Sequence, residues 1–140
     1  MQKDQMTTLY EGAFAKLNLT LDVLDKRPDG YHDIKSVMQA ISLRDDVEID
    51  IGTGKPWKLQ CSMEGIPTDE KNLAWKAAKL FFDTIGKDPD GLEIRILKRI
   101  PVQAGLGGGS ADAAAVPLSF WYICCAYSWW VFPLCWASSP

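Results

Sequence analysis

Residues 101–115 read Pro-Val-Gln-Ala-Gly-Leu-Gly-Gly-Gly-Ser-Ala-Asp-Ala-Ala-Ala, a composition suited to holding an anion. Gly105, Gly107, Gly108 and Gly109 lie so close together that the main chain can approach a ligand and take positive φ where needed. Ser110 stands where a helix N-cap belongs and alanines follow it, so the spacing predicts a helix that starts at the serine. A glycine loop feeding a helix start aims unpaired N–H groups and the positive end of the helix dipole at one spot, an arrangement that suits phosphate. Two common phosphate loops are excluded by spacing. Walker A needs a lysine between Gly109 and Ser110. The Rossmann fingerprint needs its third glycine where Ser110 stands, after Gly105 and Gly107. The competing reading is a glycine-rich turn that only lets a helix pack tightly on a sheet.

Other chemistry-bearing side chains are scattered. Lys16 heads an alternating segment and shares its polar face with Asn18 and Thr20, so both Lys16 and Asn18 are either solvated strand residues or ligand contacts. His32 is the only histidine; as a general base it needs a carboxylate partner, and Asp33 is adjacent in sequence but need not face it. It has no companions at metal-ligand spacing outside the C-terminal stretch. Tyr31 beside it offers a face on which a base could stack. Asp112, early in the expected helix, complements the helix dipole; with a phosphate docked there it must point away or share a cation with it. Lys98 and Arg99 precede the loop and either offset phosphate charge or form a solvated strand end.

The elements that must position these groups follow from periodicity. Residues 17–23 alternate apolar and polar and predict a half-buried strand, followed by a turn over residues 25–30. Residues 47–51 and 57–63 alternate likewise around Gly52-Thr-Gly54, which predicts a hairpin. Residues 72–85 predict a helix whose apolar face carries Leu73, Ala77, Phe81 and Ile85, closed by Gly86. Residues 92–96 form another alternating strand running into the glycine loop. The expected class is α+β, an antiparallel sheet with helices on one face.

The formal charge of −3 and a pI near 5.1 argue against a nucleic-acid partner. Residues 1–8 are polar and mixed in charge, so no signal peptide is read there and a cytoplasmic location is expected. Composition changes abruptly at Val116. No Asp, Glu, Lys or Arg follows Asp112, while tryptophan and cysteine concentrate beyond Val116. Pro117 is expected to stop the helix begun at residues 113–115. The stretch from Leu118 to Trp136 is about long enough to cross a bilayer, yet its aromatics, Pro133 and lack of basic flanks make a membrane anchor the weaker reading. A buried strand suits it poorly. The expectation is therefore a domain over residues 1–115 and a tail over 116–140 that is not its natural continuation, through a shifted reading frame or a cloning scar.

Three segments together resemble one family: Ala-Lys-Leu-Asn-Leu at residues 15–19, Arg-Pro-Asp-Gly-Tyr-His at 27–32, and the run from Lys98 through the glycine loop. In that order they resemble the N-terminal half of the 4-diphosphocytidyl-2-C-methyl-D-erythritol kinases, members of the GHMP kinase superfamily. The resemblance implies a truncated domain like domain 2 of ribosomal protein S5, with ATP and Mg²⁺ as cofactors and a small-molecule substrate. It implies that Pro101, Val102, Gln103, Ala104, Gly105, Leu106, Gly107, Gly108, Gly109, Ser110 and Ala111 wrap the ATP phosphates, with Ser110 near Mg²⁺. Lys16 would hold the acceptor hydroxyl, with Asn18 beside it. Tyr31 and His32 would line a cytosine pocket, and Lys98 would face the substrate's diphosphate. The implied reaction is ATP-dependent phosphorylation of the 2-hydroxyl of the substrate by in-line transfer. The family's catalytic aspartate lies in a Gly-Ala-Asp-Val-Pro segment that this sequence does not contain, so an inactive or impaired fragment is expected. The alternatives are a non-catalytic nucleotide-binding module, another GHMP small-molecule kinase, and a tail-anchored membrane protein.

Overall fold

Two long strands, β1 (Thr7–Lys26) and β2 (His32–Ile51), pair antiparallel through a tight turn in which Gly30 takes a φ of 88°. They are followed by β3 (Lys58–Cys61), α1 (Leu73–Ile85), β4 (Leu92–Leu97) and α2 (Gly108–Tyr127). This computed structural model describes residues 6–127. The sheet order is β1-β2-β4-β3, with β2 and β4 antiparallel and β3 and β4 parallel. The α+β class expected from the sequence is the one observed.

The hairpin expected between residues 47–51 and 57–63 does not form. β4 inserts between β2 and β3, and β3 pairs only with β4. Alternation specifies which residues of a strand are buried and says nothing of its neighbour. Leu92, Ile94 and Ile96 are each at most 3% exposed, so the inward face of β4 is fully covered, as it also is at Ala13 of β1 and Leu59 of β3 on the sheet's edges. The segment β3–α1–β4 is accordingly a crossover unit joining parallel strands.

α1 starts and stops where the sequence places it. Asn72 caps it, accepting from the Ala74 N–H at 2.8 Å, and Gly86 ends it at a φ of 65°. Its buried face is rotated by one residue from the expected one. Ala74, Ala78 and Phe82 are buried, while Leu73 and Ile85 are exposed. Small alanines let the helix approach its neighbours closely, and Phe82 fills the space beyond them.

α2 begins at Gly108, so Ser110 lies in its first turn rather than at the N-cap. The Ala111 N–H donates to the Gly107 carbonyl at 2.9 Å, and Gly107, at a φ of 74°, is the last non-helical residue. Pro117 does not stop the helix either. It removes one donor to the carbonyl four residues back, and packing on both sides offsets that loss. Val116 and Phe120 are 0% and 1% exposed, and the Phe120 ring stacks within 4.8 Å of Phe82 and 5.0 Å of Phe81. Burial of a ring of this size stabilises by roughly 1.5–3 kcal/mol. The first residues beyond the compositional break thus belong to the same core cluster as Val47 and Ile49 of β2 and Ile94 of β4. Residues 128–140, with the rest of the expected tail and the second part of the possible anchor, lie outside the described residues. Among the described residues no helix is long and apolar enough to cross a membrane.

Candidate functional site

The glycine loop connects the end of β4 to α2 along the free edge of β1. Gly105 and Gly107 take φ values of 71° and 74°, and Gln103 shares that region at 61° without being glycine, a backbone state that costs a side-chain-bearing residue energy. The loop forms one wall of a cleft of about 510 Å³. The facing wall comes from Gly65, Ile66 and Pro67 after β3 and from Lys71, Asn72 and Leu73 at the start of α1. The cleft therefore lies between two helix N-termini, where unpaired N–H groups favour negative charge.

Lys16 reaches this loop from the opposite flank. Among the described residues β1 is an edge strand, and the Lys16 N–H donates to the Leu106 carbonyl at 3.0 Å. The pairing of β1 with β2 loses register between Phe14 and Lys16, where the loop docks. The lysine stem packs on Gly107: a Cβ there would lie 3.4 Å from Lys16 Cγ and 3.5 Å from Cε. Its ammonium donates to Asn18 Oδ1 at 3.1 Å, and the Ser36 hydroxyl approaches the same oxygen at 3.4 Å. The structure thus brings Lys16, Asn18 and the loop together. Ser36 was absent from the sequence reading because no motif marks it; only strand pairing brings it there.

Lys98, expected to face the substrate's diphosphate, is among the residues lining this cleft, with most of its side chain covered. Its side chain is 3% exposed and its ammonium is spent on two carboxylates, Asp45 on β2 and Asp112 on α2, the latter at 2.9 Å. Burial alone would raise the Asp45 carboxyl, but the Ile100 N–H, the Lys98 ammonium and the Arg99 N–H outweigh it and hold it below the usual range. Burial would likewise lower Lys98, but its bonds to Asp112 and Asp45 raise it. Burial pushes Asp112 up to about 6 despite its bond to Lys98. The second Asp112 oxygen, Oδ1, is buried with no hydrogen-bond partner in the structure. The cation that Asp112 meets is Lys98, and it shares that cation with Asp45. Asp45 carries no sequence signal, since an aspartate in Arg-Asp-Asp reads as surface charge.

Tyr31 and His32 are not brought to the loop. Both are exposed at the hairpin tip, about ten residues along β1 from Lys16, roughly 30 Å of strand. Tyr31 is 74% exposed, and its N–H donates to Asp29 Oδ1 at 3.1 Å. Arg99 is also exposed and pairs with Asp46 at 2.6 Å. Ser110 is exposed in the first turn of α2 at the cleft.

Comparison with known proteins gives a consistent result. Residues 72–126 match the GHMP kinases N terminal domain. The chain is 49% identical over 111 residues to the 4-diphosphocytidyl-2-C-methyl-D-erythritol kinase of Geobacter sulfurreducens, covering 79% of this chain and 39% of that protein. It is 54% identical over 105 residues to the like-named kinase of Clostridium botulinum Alaska E43, covering 74% and 36%. The chain thus spans about two-fifths of the length of the curated relatives it matches. A crystal structure of 4-(cytidine 5'-diphospho)-2C-methyl-D-erythritol kinase superposes with a TM-score of 0.67 at 35% identity, over 86% of this chain and 42% of that one. Homoserine kinase from Cytophaga hutchinsonii superposes at 0.66 with 21% identity over 86% of this chain and 36% of that one, a likeness of fold alone.

Proposed function

Because the chain belongs to the GHMP kinases and is similar to the N-terminal part of the 4-diphosphocytidyl-2-C-methyl-D-erythritol kinases, we propose that residues 101–111 bind the phosphates of ATP for transfer to a small-molecule alcohol. The contact that supports this most directly is the Lys16 stem packed on Gly107, which sets a lysine held by Asn18 against the glycine loop. Phosphoryl transfer asks a protein mainly for positioning and for charge stabilisation, and these two elements supply both. The acceptor is the 2-hydroxyl of 4-diphosphocytidyl-2-C-methyl-D-erythritol, oriented by Lys16 and Asn18, with the Lys16 ammonium offsetting charge that develops on that oxygen. Tyr31 and His32, at the hairpin tip, are the proposed contacts for its cytosine.

The donor set fits a cation that arrives with the nucleotide. No cluster of three or more His, Cys, Asp or Glu residues capable of holding a metal occurs among the described residues. Mg²⁺ is commonly held by substrate phosphates with few protein ligands, and the exposed Ser110 hydroxyl is suited to be one of them. Mg²⁺ bound with ATP would neutralise phosphate charge.

These 140 residues contain no Gly-Ala-Asp-Val-Pro segment, so the chain by itself is proposed to bind nucleotide weakly and to turn over poorly or not at all. The reading places the protein in the cytoplasm, where ATP is abundant. Titration of the chain with MgATP, followed by a phosphoryl-transfer assay with the diphosphocytidyl substrate, tests it. Displacement of the loop glycine resonances by MgATP without transfer is the expected outcome. Absence of any MgATP effect on the loop would sink the phosphate assignment, and robust transfer would overturn the impaired-fragment reading.

A further inference from the structure

The three charges buried beneath the loop tie together both of its ends. At its start, the Arg99 and Ile100 N–H groups donate to one Asp45 oxygen at 2.5 and 2.8 Å, immediately before Pro101. The other Asp45 oxygen accepts from the Lys98 ammonium. At the loop's far end, the same ammonium donates to Asp112 at 2.9 Å in the first turn of α2. Between these ends the loop backbone rests directly on the cluster. A Cβ on Gly108 would come 3.1 Å from Lys98 Nζ and 2.9 Å from Ile100 Cγ2, so only glycine lets the chain lie this close.

We propose that Lys98 is a positioning residue for the phosphate loop, joining Asp45 to Asp112 so that the loop's start and end are held in one register, and that it does not itself bind phosphate. This inference rests on the reading of residues 101–111 as the phosphate loop. Two observations separate it from a direct contact. The Lys98 side chain is 3% exposed, so reaching a phosphate would strand two buried carboxylates without their counter-charge. Two carboxylates against one ammonium also make the cluster a poor attractor of anions. Its geometry suits it instead to holding main-chain N–H groups in place before a ligand arrives, which lowers the ordering cost of binding.

The test uses ¹⁵N-labelled chain and two variants. Lys98→Met alone would leave buried, uncompensated carboxylates and could unfold the protein, so it is combined with Asp112→Asn and compared with Asp112→Asn by itself. In the single variant the amide oxygen introduced at position 112 still accepts from Lys98, and the ligand-free resonances of Gly105, Gly107, Gly108 and Gly109 stay near their original positions. In the double variant those resonances move while Ile49 and Ile94 at the sheet centre do not, and the MgATP dissociation constant rises at least about tenfold over the single variant. Unmoved glycine resonances in the double variant would overturn the proposal even if affinity fell, since a lost phosphate ligand behaves that way. Equal movement at Ile49 and Ile94 would also overturn it, as the mark of a merely structural group. If the parent chain shows no response to MgATP, the phosphate-loop reading alone has failed, and the ligand-free glycine resonances still decide the role of Lys98.

Discussion

The Lys16 N–H donates to the Leu106 carbonyl at 3.0 Å, which fastens an edge strand to the middle of a glycine loop about ninety residues further along the chain. This main-chain hydrogen bond accompanies the packing of the Lys16 stem on Gly107.

Replacing Lys16 by Met keeps the stem on Gly107 and removes the charge. Stability should change by no more than about 0.5 kcal/mol, as for a surface substitution, while MgATP affinity falls several-fold. Urea unfolding and a nucleotide titration on the same protein measure both quantities. A large stability loss with unchanged affinity would assign Lys16 to the fold instead.

Gly107→Ala forces a side chain into a left-handed φ of 74° and against the Lys16 stem. Strain of this kind costs about 1–2 kcal/mol. Gly105→Ala meets the same backbone penalty at 71° but has open space around the new methyl. Both variants should lose similar stability, because the methyl at position 107 meets the Lys16 stem only at 3.4 and 3.5 Å, ordinary van der Waals contact, and both should lose MgATP affinity through the strained loop backbone. Denaturant midpoints alongside dissociation constants check the comparison.

Asp112 makes stability depend on pH with a definite sign. Its carboxyl is raised from the usual value near 3.8 to about 6, chiefly by burial, so the native state holds this proton more tightly than the unfolded chain does. The group's contribution is fully present below about 4 and is lost as pH climbs through 6. Asp112→Asn should therefore gain stability relative to the parent between pH 4 and pH 7, as read from urea unfolding across that range. A constant difference over the range would show that Asp112 titrates normally.

Phe120→Ala tests whether the helix beyond the compositional break belongs to the core. The ring is 1% exposed against Phe81 and Phe82, and truncation of such a side chain costs about 3–5 kcal/mol. A domain of this size is stable by roughly 5–15 kcal/mol, so the loss should shift the denaturant midpoint strongly or abolish cooperative unfolding. An unchanged midpoint would remove residues 116–120 from the folded unit.

Local signals were legible where chemistry or periodicity is local. The Gly86 cap and the alternating residues of β4 depend on neighbours within a turn, and each is observed where the residues place it. The rotated face of α1 and the helix running through Pro117 were not legible, because packing against Phe120 and the sheet outweighs a single propensity. The failed hairpin has the same origin, since pairing with β4 is a contact between distant segments.

By itself the sequence determined the family likeness and the α+β class, because these reside in short runs of residue types. Tertiary structure alone decided that Lys16 meets the loop, that Tyr31 and His32 stand far from it, and that Lys98 is buried between Asp45 and Asp112. Strand pairing joins residues of large sequence separation, and burial assigns a charge its partner. Neither is written in any one segment, so a lysine that reads as a surface phosphate contact becomes the tie beneath the loop.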